Sequence, residues 1–167
     1  MKTVVYFVIF FAWMTSLIQR SHAVKAVQCS CCGKPKGKIV STDIGGCENQ
    51  SSYECKFNFG GPLKVRIKFE VCEEISNIDY KLTAVREIWW TTETFGYPNK
   101  HIGSESGIPC PLKPGEIYQF QRTFWLSDSR FARSSVKHLN LEILDRGDGS
   151  RVVCVEIPGR MMEQNKK

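Results

Sequence analysis

Apolar and polar positions alternate with a period of two through much of the chain. In "LKVRIKFEV", Leu63, Val65, Ile67, Phe69 and Val71 occupy every second place, with Lys64, Arg66, Lys68 and Glu70 between them. Successive side chains of a strand point to opposite faces, so this segment predicts a strand with one buried and one wet face. A helix would scatter the same residues around its circumference. "HLNLEIL" repeats the pattern, setting Leu139, Leu141 and Ile143 against Asn140 and Glu142. In "IYQFQRTFWL" the apolar side carries Tyr118, Phe120, Phe124 and Leu126 and is interrupted by Arg122. "IDYKLTAVREIWW" predicts another strand, its apolar side broken by Arg86. "RVVCVEI" is apolar on both sides, as a central strand would be.

Turn chemistry separates these runs: "GGP" at Gly60 to Pro62, "PCPLKPG" at Pro109 to Gly115 and "DRGDGS" at Asp145 to Ser150. Nothing after the N-terminal apolar run shows a long, capped pattern of helical period. About seven short strands in one small domain predict an all-β fold, a two-sheet β-sandwich of immunoglobulin-like architecture, with a barrel as the second arrangement. The immunoglobulin framework itself is not matched. Val152 stands two residues before Cys154, where a tyrosine corner needs Tyr, and no Cys-Trp-Cys order is present.

The N-terminus changes the compartment. Lys2 precedes the apolar run "VVYFVIFFAWM" and then "TSLIQRSHA", whose Ser21 and Ala23 satisfy the small-residue rule for cleavage. Residues 1–23 are therefore expected to be a secretory signal peptide, since the apolar run falls short of the roughly 20 residues needed to span a bilayer. Residues 24–167 are expected to form one soluble domain, secreted or lumenal. Cleavage removes Lys2 and Arg20 but no acid, lowering the formal charge from +6 to +4. Basic and acidic residues are interspersed, which suits a solvated surface and not a nucleic-acid groove. A weak attraction to anionic lipid surfaces or acidic glycans stays compatible with that charge.

The eight cysteines, Cys29, Cys31, Cys32, Cys47, Cys55, Cys72, Cys110 and Cys154, all follow the cleavage point. An even number in an oxidising compartment predicts disulfides. Zinc is disfavoured, because a structural site wants paired Cys-x₂-Cys or Cys/His spacings. Here the cluster reads Cys-x-Cys-Cys and only His101 and His138 lie downstream of the signal. No metal and no cofactor are expected.

Catalytic motifs fail on inspection. "GSESG" places Glu105 where a nucleophile elbow needs Ser, and "GKPKGK" is a residue short of a phosphate loop and is followed by Ile39. His138 lies in a strand pattern with no local partner marking it as a base. The chain is not expected to be an enzyme. A binding module of another kind is the alternative: Arg146, Gly147 and Asp148 resemble the integrin-recognition tripeptide in a hairpin loop, although Asp and Gly are favoured hairpin residues in any case. Asn49 opens an Asn-Gln-Ser glycosylation acceptor site.

Three stretches in order, "CGKPKGKIVSTDIGGC", "SGIPCPLKPGEIY" and "NLEILDRGDGSRVVCVEIP", resemble the ML-domain lipid-recognition family, and with the Leu63 to Val71 strand the resemblance covers nearly the whole chain after residue 23. It implies a disulfide between Cys32 and Cys154, joining the first strand to the last, and one between Cys47 and Cys55 closing a short loop. The long bridge would contribute roughly 4 to 5 kcal/mol in the chain-entropy model. The family's third bridge is missing its first cysteine, since Ser104 stands six residues before Cys110. Cys29 and Cys31 are then expected to meet Cys72 and Cys110, in an order left open. In one branch of the family an extra N-terminal cysteine takes the partner matching Cys47, which would free Cys55.

The resemblance also implies a function: sequestration of a lipid between two apolar sheet faces and its hand-over without covalent chemistry. Val65, Ile67, Phe69, Phe120, Leu139 and Leu141 would line the inner faces, with Trp89, Phe95, Tyr97 and Phe131 at the rim. Periodicity alone reads the strand residues as ordinary sandwich core. A lipid of 20 to 30 heavy atoms at about 0.3 kcal/mol per atom would gain roughly 6 to 9 kcal/mol, near micromolar affinity. The implied ligand is a sterol, fatty acid, phospholipid or glycolipid, with Arg122, Arg130, Arg133 and Lys137 able to attract an anionic head. The expected protein is a monomer without nucleic-acid partners, making at most transient contact with a membrane or receptor. The alternative is an extracellular ligand or immune lipid co-receptor acting through protein partners.

Overall fold

The computed structural model describes residues 27–28, 35–48, 54–88, 91–96, 100–101, 108–127 and 136–162. Residues 1–23, Cys29, Cys31, Cys32, Asn49, Trp89, Tyr97 and Phe131 lie outside this set, as do the side chains of Cys47 and Phe95.

The described residues form strands and no helix. Seven strands run six residues or more: β2 (Gly37–Gly45), β5 (Pro62–Val71), β6 (Ile78–Ile88), β7 (Thr91–Gly96), β9 (Ile117–Trp125), β10 (Val136–Asp145) and β11 (Arg151–Met162). Shorter pieces fill the edges: β1 (Val27–Gln28), β3 (Cys47–Glu48), β4 (Cys55–Asn58) and β8 (Lys100–His101). They make two sheets. The larger runs β3-β4-β11-β10-β6-β7, with β1 added to β11 and β8 to β6; the smaller runs β2-β5-β9.

Sequence explains where each strand sits. β5 is the central strand of the small sheet, and its strict alternation matches its burial residue by residue: Leu63, Val65, Ile67, Phe69 and Val71 are inside, and Lys64, Arg66 and Lys68 are outside. β11 is an inner strand, with β10 paired along one edge and β1 and β4 along the other, and its consecutive apolar residues Val152 to Val155 are buried on both faces. Pro158, which has no N–H for a ladder, falls in the gap between the β1 contact at Val155 and Glu156 and the β4 contact that begins at Gly159. Gly159 is required by packing. A Cβ there would come within 2.2 Å of the Cys55 carbonyl oxygen and 2.6 Å of the Phe57 ring.

The connections carry the expected turn residues, with Gly60, Gly115 and Gly149 at positive φ. Gly46 is the most demanding. It turns the chain from the small sheet into the large one at φ +91, where a Cβ would stand 2.0 Å from the Pro62 carbonyl oxygen. Near the start of β2, Lys36 clamps three parts of the chain together: its Nζ donates to Asp145 and Asp148 of the β10–β11 hairpin, both at 2.8 Å, and lies 3.0 Å from Glu73 after β5.

Candidate functional site

The interior between the sheets is the candidate site, and strand register assembles it in rows. Three rows cross the large sheet: Tyr80–Ile143–Val153, Leu82–Leu141–Val155 and Ala84–Leu139–Ile157. All of these residues are buried. The last row continues along the backbone to Phe95, which is paired with Ala84. The opposing wall comes from the inward positions of β5 and from Tyr118, Phe120 and Phe124 of β9. Aromatic contacts show that these faces meet: the Tyr80 ring lies 5.6 Å from Phe120 and 5.7 Å from Phe124, centroid to centroid, across the two sheets. Phe69 and Tyr118 pair within the small sheet at 6.3 Å.

Of the residues expected to meet lipid, Val65, Ile67, Phe69, Phe120, Leu139 and Leu141 all lie in these two walls. Trp89, Tyr97 and Phe131 lie outside the described residues. Tyr80, Leu82, Ala84 and Val155 were not singled out from the sequence, and Phe124 was read only as the apolar side of its strand, yet all belong to the same walls. The signal for Tyr80, Leu82 and Ala84 was available in "IDYKLTA", where positions 80, 82 and 84 repeat the period of β5.

Two cations occupy inward positions. Arg86 follows Tyr80, Leu82 and Ala84 in step and donates from Nε to Glu93 at 2.9 Å, its cross-strand partner on β7, with a second contact from Nη2. Arg122 stands between Phe120 and Phe124 in step and opposite Val65, and its guanidinium carbon lies 4.9 Å from the Tyr80 ring centroid. Such a cation–π contact is worth about 0.5 to 2 kcal/mol, depending on how dry it is.

The outside of the sandwich offers a smaller feature. A half-open groove of about 140 Å³ lies against Asp43, Gly45, Lys64, Arg66, Gln121 and Thr123 of the small sheet, with Val65 and Arg122 also in its lining. It is small beside the roughly 300 to 1,000 Å³ of ordinary ligand sites, and its lining is mixed, polar and apolar in equal measure.

Comparison with known proteins places this architecture. The profile of the ML domain matches residues 23–161. The chain belongs to the ML-domain family. A curated relative, the NPC intracellular cholesterol transporter 2 homolog a of Drosophila melanogaster, is 28% identical over 136 residues, covering 81% of this chain and 88% of the relative. Among solved structures, a Niemann-Pick type C2 protein from the Japanese carpenter ant superposes with a TM-score of 0.63 at 24% identity, over 78% of this chain and 96% of the ant protein. The C-terminal domain of wzt shares the fold more loosely, with a TM-score of 0.50 at 10% identity over 84% of this chain and 80% of that domain. The ML-domain assignment agrees with the all-β, two-sheet sandwich expected from the strand pattern.

The four cysteines whose side chains are described fall into two classes. Cys55 and Cys154 are buried and disulfide-bonded. Cys72 and Cys110 are free and exposed, which corrects the expectation that each meets an N-terminal cysteine. The backbone gives a reason. Cys72 immediately follows β5, its N–H held by the Lys36 carbonyl, and Cys110 precedes Leu112, which pairs with Ile75, so local hydrogen bonds fix both positions without a covalent tie.

The Arg146-Gly147-Asp148 tripeptide is also engaged internally. Asp148 accepts from Lys36 Nζ through one carboxylate oxygen and from the Ser150 N–H through the other, and Gly147 N–H donates to Asp145. A receptor would have to take the carboxylate from Lys36. The integrin alternative is not favoured.

Proposed function

We propose that this chain is a lipid-binding transfer protein, holding a sterol, fatty acid or other lipid between its two sheets and handing it over without chemistry of its own. The observation that carries the reading is the pair of facing apolar walls, Leu82, Leu141 and Val155 on one sheet and Val65, Ile67 and Phe120 on the other, in an ML-domain chain. The fly relative's name, a cholesterol transporter, supports the same class of ligand. A carrier needs only a shaped apolar site, since burial of apolar surface supplies most of the affinity.

The finer features follow as part of this reading. Residues 1–23 direct the chain into the secretory pathway, and the mature protein works as a monomer in an extracellular or lysosomal space. Cys154 pairs with Cys32 and Cys55 with Cys47, which is supported by the disulfide-bonded state of Cys154 and Cys55. Asn49 carries a glycan. Trp89, Phe95, Tyr97 and Phe131 form the rim through which the lipid passes. Transient docking on a membrane is supported by the outer face of the small sheet. It presents Lys64, Arg66 and Lys68 in a column, with Val40, Ile117 and Trp125, all more than half exposed, on the flanking strands.

Native mass spectrometry of the protein secreted from eukaryotic cells, followed by solvent extraction, tests the proposal. A stoichiometric lipid adduct is expected. A protein that leaves the cell without an adduct and takes up neither fluorescent sterol nor fatty acid would overturn the carrier reading.

A further inference from the structure

We infer that β9 is a self-association surface: two copies of this chain pair reversibly through its outer edge, antiparallel and centred on Gln121, and the pair hides side chains that face a membrane. Only that last clause rests on the membrane contact proposed above. β9 is an edge strand, paired with β5 on one side and with no described strand on the other. The bonds at the two ends of the β5 pairing fix which backbone groups are spent. Val71 N–H donates to the Glu116 carbonyl, and Leu126 N–H donates to the Gly61 carbonyl. Antiparallel partners alternate between hydrogen-bonded and non-bonded pairs, so the even-numbered residues of β9 are the ones bonded to β5. Ile117, Gln119, Gln121, Thr123 and Trp125 therefore turn their N–H and C=O groups to the outer edge, where no described strand meets them.

The side chains make that edge self-complementary. A two-fold axis through Gln121 sets Gln119 opposite the partner's Thr123 and Ile117 opposite the partner's Trp125. Ile117 and Trp125 are two of the three exposed large apolar residues described, and they stand at opposite ends of β9 on its outer face. In this register each is covered by the other, an aromatic against a β-branched side chain, which is a favourable cross-strand pair. An unrelated peptide would match both ends only by chance; a second copy does so by symmetry. Outward lysines and prolines, which blunt an edge, are missing from β9, and its one charge, Arg122, faces inward onto Tyr80. An inward charge weakens strand addition, so the association is reversible. The basic column Lys64, Arg66 and Lys68 lies one strand in from the edge. The two columns of a pair would stand three strand spacings apart, about 14 Å, beyond the Debye length of about 8 Å at physiological salt. Pairing and docking exclude each other, because both use Ile117 and Trp125. The monomer stays the working form, and the pair is the carrier away from membranes.

Sedimentation equilibrium of the full secreted protein tests the pairing, with its free thiols blocked by iodoacetamide so that no disulfide joins copies. Over a hundredfold range of concentration the apparent mass is expected to rise from one chain toward two. Gln121→Pro removes the central N–H, which β5 does not use, and should hold the mass at one chain throughout. Ile117→Ser is the milder variant; the symmetry removes its contact twice, so pairing should weaken by roughly two- to thirtyfold. Circular dichroism reports whether each variant is folded, and the Ser variant decides the matter should the Pro variant not fold. A wild type that remains one chain at every concentration would leave the edge to another occupant and overturn the inference, as would a pair that neither folded variant weakens. Either result leaves the carrier reading intact. Co-sedimentation with phosphatidylserine-containing vesicles tests the exclusion: at high protein concentration Gln121→Pro should bind more than wild type. Equal binding would show that pairing does not hide the docking side chains. No binding by either protein would remove the membrane contact while the pair stands.

Discussion

Asp148 is the residue whose surroundings change its reading most. In the sequence it closes a tripeptide that advertises a receptor; in the fold it is one of three carboxylates gathered on Lys36. Hydrogen bonds from Lys36 Nζ and Ser150 hold its carboxyl well below the ordinary aspartate value of 3.8. The carboxylates of Asp145, Asp148 and Glu73 in turn push the Lys36 ammonium above the ordinary lysine value of 10.5. A carboxyl depressed on folding stabilises the fold above its ordinary pKa, and that contribution fades as pH falls toward the folded value. An amine raised on folding contributes fully below its ordinary pKa and stops as pH rises through the folded one. The clamp should therefore act at constant strength from about pH 5 to 9 and weaken outside that window. Asp148→Asn is expected to lower the urea midpoint throughout the window, and its difference from wild type should shrink once pH drops below 3.8. A difference independent of pH down to strong acid would show that the carboxylate charge is not what the hairpin uses. The integrin-like tripeptide was legible in the sequence. Its engagement was not, because Lys36 lies more than a hundred positions away along the chain.

At the scale of elements, legibility followed burial. β5, β6, β9, β10 and β11 were all readable because each has a solvated face or a continuous apolar run. β2 has neither: its register slips at a bulge between Ile39 and Ser41, and Val40, Ser41 and Asp43 are exposed, so the period of two is lost. β7, "TTETFG", is exposed along its first four residues and is defined by its pairing with β6, a non-local fact. The inner walls of the candidate site could be read because they are strand faces; the interruptions at Arg86 and Arg122 were visible too, though the sequence could not say that Glu93 meets one and Tyr80 the other. β5 permits an internally controlled test of the face assignment. Ile67 is fully buried between Phe69 and Val65, and Lys68 next to it is exposed. Ile67→Ala should cost about 2 to 5 kcal/mol in urea denaturation, the range for a truncated core aliphatic. Lys68→Ala should stay within about 0.5 kcal/mol of wild type. Similar costs at both positions would mean that the two faces of β5 have been assigned wrongly.

For the whole molecule, a carrier has two tasks that must not interfere: holding an apolar ligand and approaching the membrane that supplies or receives it. In the proposed reading the sandwich separates them across the thickness of one sheet. On β5 the inward residues meet the interior, and the outward column of Lys64, Arg66 and Lys68 meets solvent a few ångströms away on the opposite face. Arg66 is partly committed, to Asp43 at 3.2 Å and Gln121 at 3.1 Å, so Lys64 and Lys68 are the residues to change. Trp125, 60% exposed at the end of neighbouring β9, is the kind of side chain that settles at the head-group level of a bilayer. Each basic residue close to an anionic bilayer contributes about 1 kcal/mol, so Lys64→Glu with Lys68→Glu should weaken binding to phosphatidylserine-containing vesicles by roughly thirtyfold or more. Wild-type binding should itself fall as salt is raised, because the Debye length shrinks. Fatty-acid binding in solution, measured on the same double variant, should not change, since neither lysine faces the interior. Vesicle binding that survives both charge reversals would place the membrane contact on another surface of the sandwich, and a matching loss of solution binding would mean that the two tasks share one face.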